Sequence, residues 1–345
     1  MNLDVLIFDM DGVLIDVSKS YRKTVQKTIQ FYLETCLGFK RIGEDLITNK
    51  EISLFKSAGG FNNDWDLTSG LLLYLLSISG ISPLPKRKRF SSVQRIAPYL
   101  RTKSSMTHRK TSIRLKRKEL LSFLEKVRIS GGGLRGVGRV LGTSWEGWVY
   151  RLGDIDEENL IKRIFQEIYL GEKFAVRYHL SPLFYKGKGF HLKEKLLIPK
   201  RILSTLQQKA RMGIASGRPR FEAEIALKRF GLQPYFDSLV TLSECETEEN
   251  RIFHVTGKKT DRSKPHPYSI LRTVQEIGIP NPKCGYIGDV VDDMLAAHAA
   301  KKNLSILAIG FLAGHHDKKA WKISLVKSGA DLLIEKPSQL LRLIS

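Results

Sequence analysis

Disulfide chemistry is the first thing this chain lacks. Its 345 residues include three cysteines, Cys36, Cys245 and Cys284. They are odd in number and far apart, which excludes a disulfide framework and a cysteine zinc site. A reducing, cytoplasmic setting fits that usage. The sequence runs into a strand pattern at Leu3 with no basic leader or cleavage pattern ahead of it. The longest apolar run, Leu71-Leu72-Leu73-Tyr74-Leu75-Leu76, is too short to span a bilayer and gives way to Ser77, Ser79 and Gly80, so no membrane partner is expected. Acids are scarce as well: 35 Asp and Glu face 57 Lys and Arg, a net charge of +22. Such a charge invites a nucleic-acid partner, but its distribution weakens the idea. Between Leu84 and Val140 stand 17 bases against two acids, Glu119 and Glu125, leaving +7 for the rest of the chain. That segment has few aromatics to stack bases, apart from Phe90 and Tyr99.

What is present begins with Leu3-Asp4-Val5-Leu6-Ile7-Phe8-Asp9-Met10-Asp11-Gly12-Val13. The short apolar run ending in two acids and a glycine predicts a buried parallel strand that delivers side chains to a sheet edge. Asp9 and Asp11 leave an extended backbone on the same side. Carboxylates that close need a cation or a proton between them, and Gly12 allows a sharp turn. A Ca²⁺ loop also uses Asp-x-Asp-Gly, but the apolar Val13-Leu14-Ile15 takes the place of its further acids.

Three later stretches repeat the theme. Met212-Gly213-Ile214-Ala215-Ser216-Gly217-Arg218-Pro219 predicts a strand ending in a hydroxyl and an unobstructed N–H ahead of a helix from Phe221 to Phe230. That suits a phosphate oxygen, although Ser216 could instead be a helix cap. Lys264 lies in Lys264-Pro265-His266-Pro267, ahead of a helix from Tyr268 to Ile277. Gly285-Tyr286-Ile287-Gly288-Asp289 is another strand ending in an acid, with Asp292 and Asp293 opening a small-residue helix. Asp292 is expected to be a solvated or helix-start acid.

Taken in order, Asp9-Met10-Asp11-Gly12-Val13-Leu14, Ser216-Gly217, Lys264-Pro265 and Gly288-Asp289 with Asp293 resemble the four motifs of the haloacid dehalogenase-like superfamily. The resemblance implies an α/β fold, a Rossmann-like open parallel sheet with an inserted, mainly helical cap. It implies a Mg²⁺-dependent phosphatase acting on a small phosphorylated metabolite. Asp9 would be the nucleophile and Asp11 the acid–base. Ser216, Gly217 and Lys264 would hold the phosphoryl oxygens. Mg²⁺ would sit on Asp9, Asp289 and the Asp11 carbonyl, and Asp293 would orient Lys264 or a water. A phosphomutase acting on a sugar phosphate, or a nucleic-acid-binding or end-processing phosphatase, are the alternatives. The acid at Asp11 speaks against carbon–halogen cleavage, where no alkoxide leaves. The oligomeric state is open.

The core is expected at 1–17 and 205–345, and the helical cap at 18–83 and 143–204. Cap helices are predicted over Ser20 to Gly38, with Tyr21, Val25, Ile29, Tyr32 and Cys36 on one face, and over Leu67 to Ser77 and Glu157 to Phe174. The glycine-, amide- and Trp65-containing loop before Leu67 is ordinary turn chemistry or a substrate-facing loop. Residues 84–142 are expected to be a basic, flexible insertion, with a short basic helix over Leu115 to Val127, dispensable for chemistry. Its Gly131-x-Gly133-x-x-Gly136 follows no strand and is not a dinucleotide site.

Overall fold

Val5-Leu6-Ile7-Phe8 has no polar side chain on either face and is wholly buried, so it needs strands on both edges and cover on both faces. A computed structural model supplies them. It describes residues 2–344 apart from 41, 44, 45, 62, 108–112 and 316. Asn62 of the Trp65 loop and residues 108–112 of the basic segment therefore lie outside the described residues. The strands are β1 (Val5–Phe8), β2 (Ile15–Asp16), β3 (Lys195–Leu196), β4 (Arg211–Ala215), β5 (Ser238–Val240), β6 (Lys283–Gly288), β7 (Ser305–Phe311) and β8 (Leu332–Ile334). Six of them form one parallel sheet in the order β5-β4-β1-β6-β7-β8. Phe8 pairs with both Ile214 and Ile287, so Asp9, Ser216 and Asp289 emerge at the same carboxyl edge. β2 and β3 form a separate antiparallel pair.

The chain divides into two compact units, Met1–Val17 with Lys195–Ser345, and Ser18–Glu194. The chain returns to the first unit at Lys195, ten residues before the expected boundary at 205, because β3 pairs with β2.

The unit Ser18–Glu194 is helical: α1 (Tyr21–Phe31), α2 (Asn49–Ser57), α3 (Asp64–Ser77), α4 (Ile96–Thr107), α5 (Arg117–Ile129), α6 (Gly133–Leu141), α7 (Leu160–Leu170) and α8 (Lys173–Tyr178). α1 runs on into a π-helical turn, Tyr32–Cys36, and the whole expected apolar face is buried. Asn63 caps α3, accepting from the Asp66 N–H at 2.7 Å. Trp65 lies under the Lys162 ammonium, 4.6 Å from its centroid, and edge-on to Phe165.

The flexible insertion expected at 84–142 is not what forms. Among the described residues, Val93, Ile96, Leu100, Leu120, Phe123, Val127 and Val137 are buried, and α5 and α6 pack on each other and on α2 and α3. Phe123 meets Tyr74 of α3 at 4.6 Å. The run Lys86-Arg87-Lys88-Arg89 is tied down by an Arg87–Glu158 ion pair at 3.2 Å and by the Tyr150 hydroxyl, which donates to the Lys88 carbonyl at 2.8 Å. The glycines that resemble a linker are a backbone crossing. Gly133 N–H donates to Gly59 O at 2.8 Å, and a Cβ on Gly60, at φ +75°, would fall 2.8 Å from the Gly133 nitrogen. Glycine is needed there for close approach.

In the other unit the helices are α9 (Lys200–Gln207), α10 (Arg220–Phe230), α11 (Leu242–Thr256), α12 (Tyr268–Ile277), α13 (Val291–Ala300) and α14 (Lys318–Lys327). Val5, Ile7, Tyr286, Ile270, Met294, Ala297 and Leu325 belong to one buried cluster that joins the sheet to α12, α13 and α14. Among the described residues no helix is long and apolar enough to cross a membrane.

Candidate active site

The carboxyl edge of the sheet gathers the four sequence motifs. Asp9 directly follows β1 and continues its ladder, donating its N–H to Ile287 O at 2.8 Å. Gly12, at φ +80°, turns the chain at a point where a Cβ would overlap the Asp289 carboxylate. A side chain at position 12 would therefore displace Asp289.

Lys264 is the hub. Its buried ammonium donates to Asp9 Oδ1 at 2.9 Å, Asp293 Oδ1 at 2.7 Å and Tyr286 OH at 2.8 Å, with Ala215 O at 3.3 Å. Asp293 is used on both oxygens. Oδ1 takes Lys264 and the Tyr286 hydroxyl at 2.8 Å, and Oδ2 accepts from the N–H groups of Asp289 at 3.0 Å and Val290 at 3.2 Å. Asp293 thereby fixes both the lysine and the start of α13.

The charge balance is unusual. Burial pushes Asp9 up to about 8; Lys264 pulls the other way, while Asp293, Asp11 and Asp289 add to the rise. Burial opposes the Lys264 charge too, but Asp293 and Asp9 outweigh it and hold the ammonium well above its usual range. Asp9 and Asp293 thus share one lysine. One oxygen each of Asp9, Asp289 and Asp293 lie within 4.8 Å of one another. A surplus of buried carboxylate oxygen fits a hard divalent cation such as Mg²⁺. With Asp293 saturated by four donors, Asp9 and Asp289 are the carboxylates best placed to hold it.

Ser216 is buried, and its hydroxyl accepts from the Arg218 N–H at 3.2 Å. The residue preceding α10 is Pro219, so Ser216 is not its cap. Gly217 follows it at the same sheet edge. Asp11 is not in the carboxylate cluster; its Oδ1 receives Arg218 Nε at 2.5 Å. Asp292, expected to be a solvated or helix-start acid, is a helix-start acid, buried in the first turn of α13.

Sequence reasoning assigned no role to two residues here. Arg218 was visible only as the third letter of Ser-Gly-Arg-Pro. His315 lies outside every motif, yet its Nε2 is 2.8 Å from Asp289 O and 3.2 Å from Asp289 Oδ2, with its ring stacked on Trp321 at 4.3 Å.

A parallel sheet with acids, a buried lysine and a hydroxyl at its carboxyl edge defines a class of α/β hydrolases. The family model "haloacid dehalogenase-like hydrolase" matches residues 3–301, and the chain belongs to that family. Phosphoglycolate phosphatase of Xanthomonas campestris is 29% identical over 128 residues, covering 37% of this chain and 48% of that protein. Imidazoleglycerol-phosphate dehydratase of Phytophthora nicotianae is 23% identical over 301 residues, 86% of this chain and 42% of that protein. The chain thus spans about half the length of the curated relatives it matches. A structural-genomics target solved by X-ray crystallography shares the fold over 99% of this chain and 98% of its own, with a TM-score of 0.60 and 19% identity.

Proposed function

We propose that the protein is a phosphatase that releases phosphate from a small phosphorylated metabolite through an aspartyl-phosphate on Asp9. The observation that carries this reading is the buried Lys264 bridging Asp9 and Asp293 at the strand ends that also present Ser216 and Asp289. Phosphoryl transfer needs an in-line nucleophile and dispersal of charge on the moving oxygens. An Asp9 oxygen attacks phosphorus as the ester bond breaks. The departing oxygen takes a proton from Asp11 and leaves as an alcohol. Asp11 then removes a proton from water, which attacks the same phosphorus, freeing Asp9 and releasing inorganic phosphate. Lys264, Ser216 and the Gly217 N–H hold the phosphoryl oxygens. Asp9, Asp289 and the Asp11 main-chain carbonyl would hold Mg²⁺, which neutralises charge on the phosphoryl group when bound. Relatives named for phosphoglycolate and for pyrophosphate support a small anionic substrate. The inserted helical unit is assigned the choice of substrate.

The test is phosphate release from a panel of phosphorylated metabolites with Mg²⁺ and with EDTA. Mg²⁺-dependent release by the wild type that is absent in Asp9→Asn is the expected result. Phosphoryl transfer to a sugar phosphate without net release would favour a phosphomutase. No turnover of any ester would sink the reading.

A further inference from the structure

Among the described residues three arginines are buried: Arg22, Arg163 and Arg218, at 8%, 1% and 1% exposure. Two have carboxylate partners. Arg163 Nε is 2.6 Å from Glu167 Oε1 and its Nη1 3.3 Å from Asp156, and Arg218 holds Asp11. Arg22 differs: its Nε is enclosed with no hydrogen-bond partner, and its guanidinium forms no ion pair with any described residue. An arginine cannot shed its proton in a protein. Enclosing the Nε donor without a partner is costly, and the planar fork is shaped to take an oxyanion on two donors.

The backbone around Arg22 carries the same sign. It is the second residue of α1, whose N-terminus carries partial positive charge. No acid occupies the first turn, and Ser20 does not cap it: the Ser20 hydroxyl donates to Glu194 Oε1 at 3.2 Å instead. Tyr21 stacks on Tyr169 at 4.2 Å, and the Tyr169 hydroxyl donates to the same Glu194 oxygen at 2.9 Å. Packing on both sides thus fixes the start of the helix and with it the root of Arg22.

We propose that Arg22 and the first turn of α1 form an oxyanion site that binds a carboxylate or phosphate group. The site lies within the helical unit, and the anion is a small carboxylate or phosphate ligand.

The experiment uses the full chain and compares wild type, Arg22→Met and Arg22→Lys. Malonate, a dicarboxylate, is the probe for thermal stabilisation. Malonate should raise the wild-type melting temperature, fail to raise that of Arg22→Met, and act weakly on Arg22→Lys, which keeps the charge but loses the fork. In the absence of anion, Arg22→Met should melt no lower than wild type, since it removes an enclosed donor that has no partner. The second measurement is calorimetric titration of malonate: affinity should fall about tenfold or more in Arg22→Met, the loss expected for a charge-assisted hydrogen bond, and unchanged affinity would overturn the proposal. Equal malonate responses in wild type and Arg22→Met, no response in either, or a large drop in the melting temperature of anion-free Arg22→Met would each overturn the proposal; the last would mark a structural partner within the chain.

Discussion

Arg218 Nε meets Asp11 Oδ1 at 2.5 Å, with the arginine side chain fully enclosed and that of the aspartate 26% exposed. The group assigned to give a proton to the leaving oxygen is therefore found as an ion pair, and it must let go of Arg218 to act. The pair is half sheltered, so its coupling should lie between that of surface and buried pairs. A double-mutant cycle with Asp11→Asn and Arg218→Met, read by urea unfolding, should give about 1–3 kcal/mol of coupling. Additive losses would show that the contact contributes nothing to stability.

Asp9→Asn should leave the fold intact and abolish turnover, because a neutral amide neither attacks phosphorus nor balances Lys264. Steady-state phosphate release checks it. Retention of more than about a tenth of the wild-type rate, a barrier change under roughly 1.4 kcal/mol, would rule out Asp9 as nucleophile.

Asp289→Ala should raise the Mg²⁺ concentration needed for half-maximal activity more than Asp292→Ala does. Asp289 ends the strand next to Asp9 and belongs to the carboxylate cluster, whereas Asp292 lies three residues on, in the first turn of α13. Titrations of activity against Mg²⁺ compare them. Equal shifts, or full activity in EDTA, would contradict the proposed metal site.

The raised Asp9 carboxyl links stability to pH. Its value goes from the ordinary 3.8 to about 8 when folded without metal, chiefly through burial. The folded state then binds more protons than the unfolded state in that window, so this group's contribution makes stability fall as pH rises from about 4 to about 8. Thermal unfolding in EDTA at pH 5 and pH 8 should show that fall in wild type and less of it in Asp9→Asn. Mg²⁺ should counter it, because binding favours the ionised carboxylate.

Deleting 86–138 should unfold the helical unit. The deletion removes α4, α5 and most of α6, and with them Leu100, Leu120, Phe123 and Val127 from its core. Losing even one such side chain costs about 2–5 kcal/mol, and a whole unit cannot bear several. Circular dichroism and limited proteolysis should report the loss of helix; a folded, protease-resistant deletion variant would contradict the packing. A nucleic-acid role is better tested by reversing the exposed Lys86, Arg89, Lys116 and Lys118.

The sheet edge was legible because its signals are local. A four-residue apolar strand stops at Asp9, and the Ser216 and Asp289 strands stop the same way, so one-dimensional order predicts convergence. The segment 84–142 was misread because charge density outweighed spacing. The short helix expected over Leu115 to Val127 forms at Arg117–Ile129, but 17 bases obscured that Leu120, Phe123, Leu124 and Val127 give it an apolar stripe to bury. The Gly131–Gly138 cluster resembles a linker because composition does not distinguish freedom from close approach; only the Gly60–Gly133 crossing does. Arg218, His315 and Arg22 depend on what lies opposite them in space, which no local pattern records.

The position of β1 also sets an order of assembly. Val5 pairs with Arg211 and with Cys284, so the first strand made has no sheet to join until most of the chain has left the ribosome. At roughly 5–20 residues per second it waits on the order of ten seconds or more. During that interval the helical unit, which is compact over Ser18–Glu194, can fold, while Val5-Leu6-Ile7-Phe8 stays an unpaired apolar strand. That wait makes the nascent chain the stage at which aggregation threatens, and the stage at which a chaperone that shields short apolar strands has most to do.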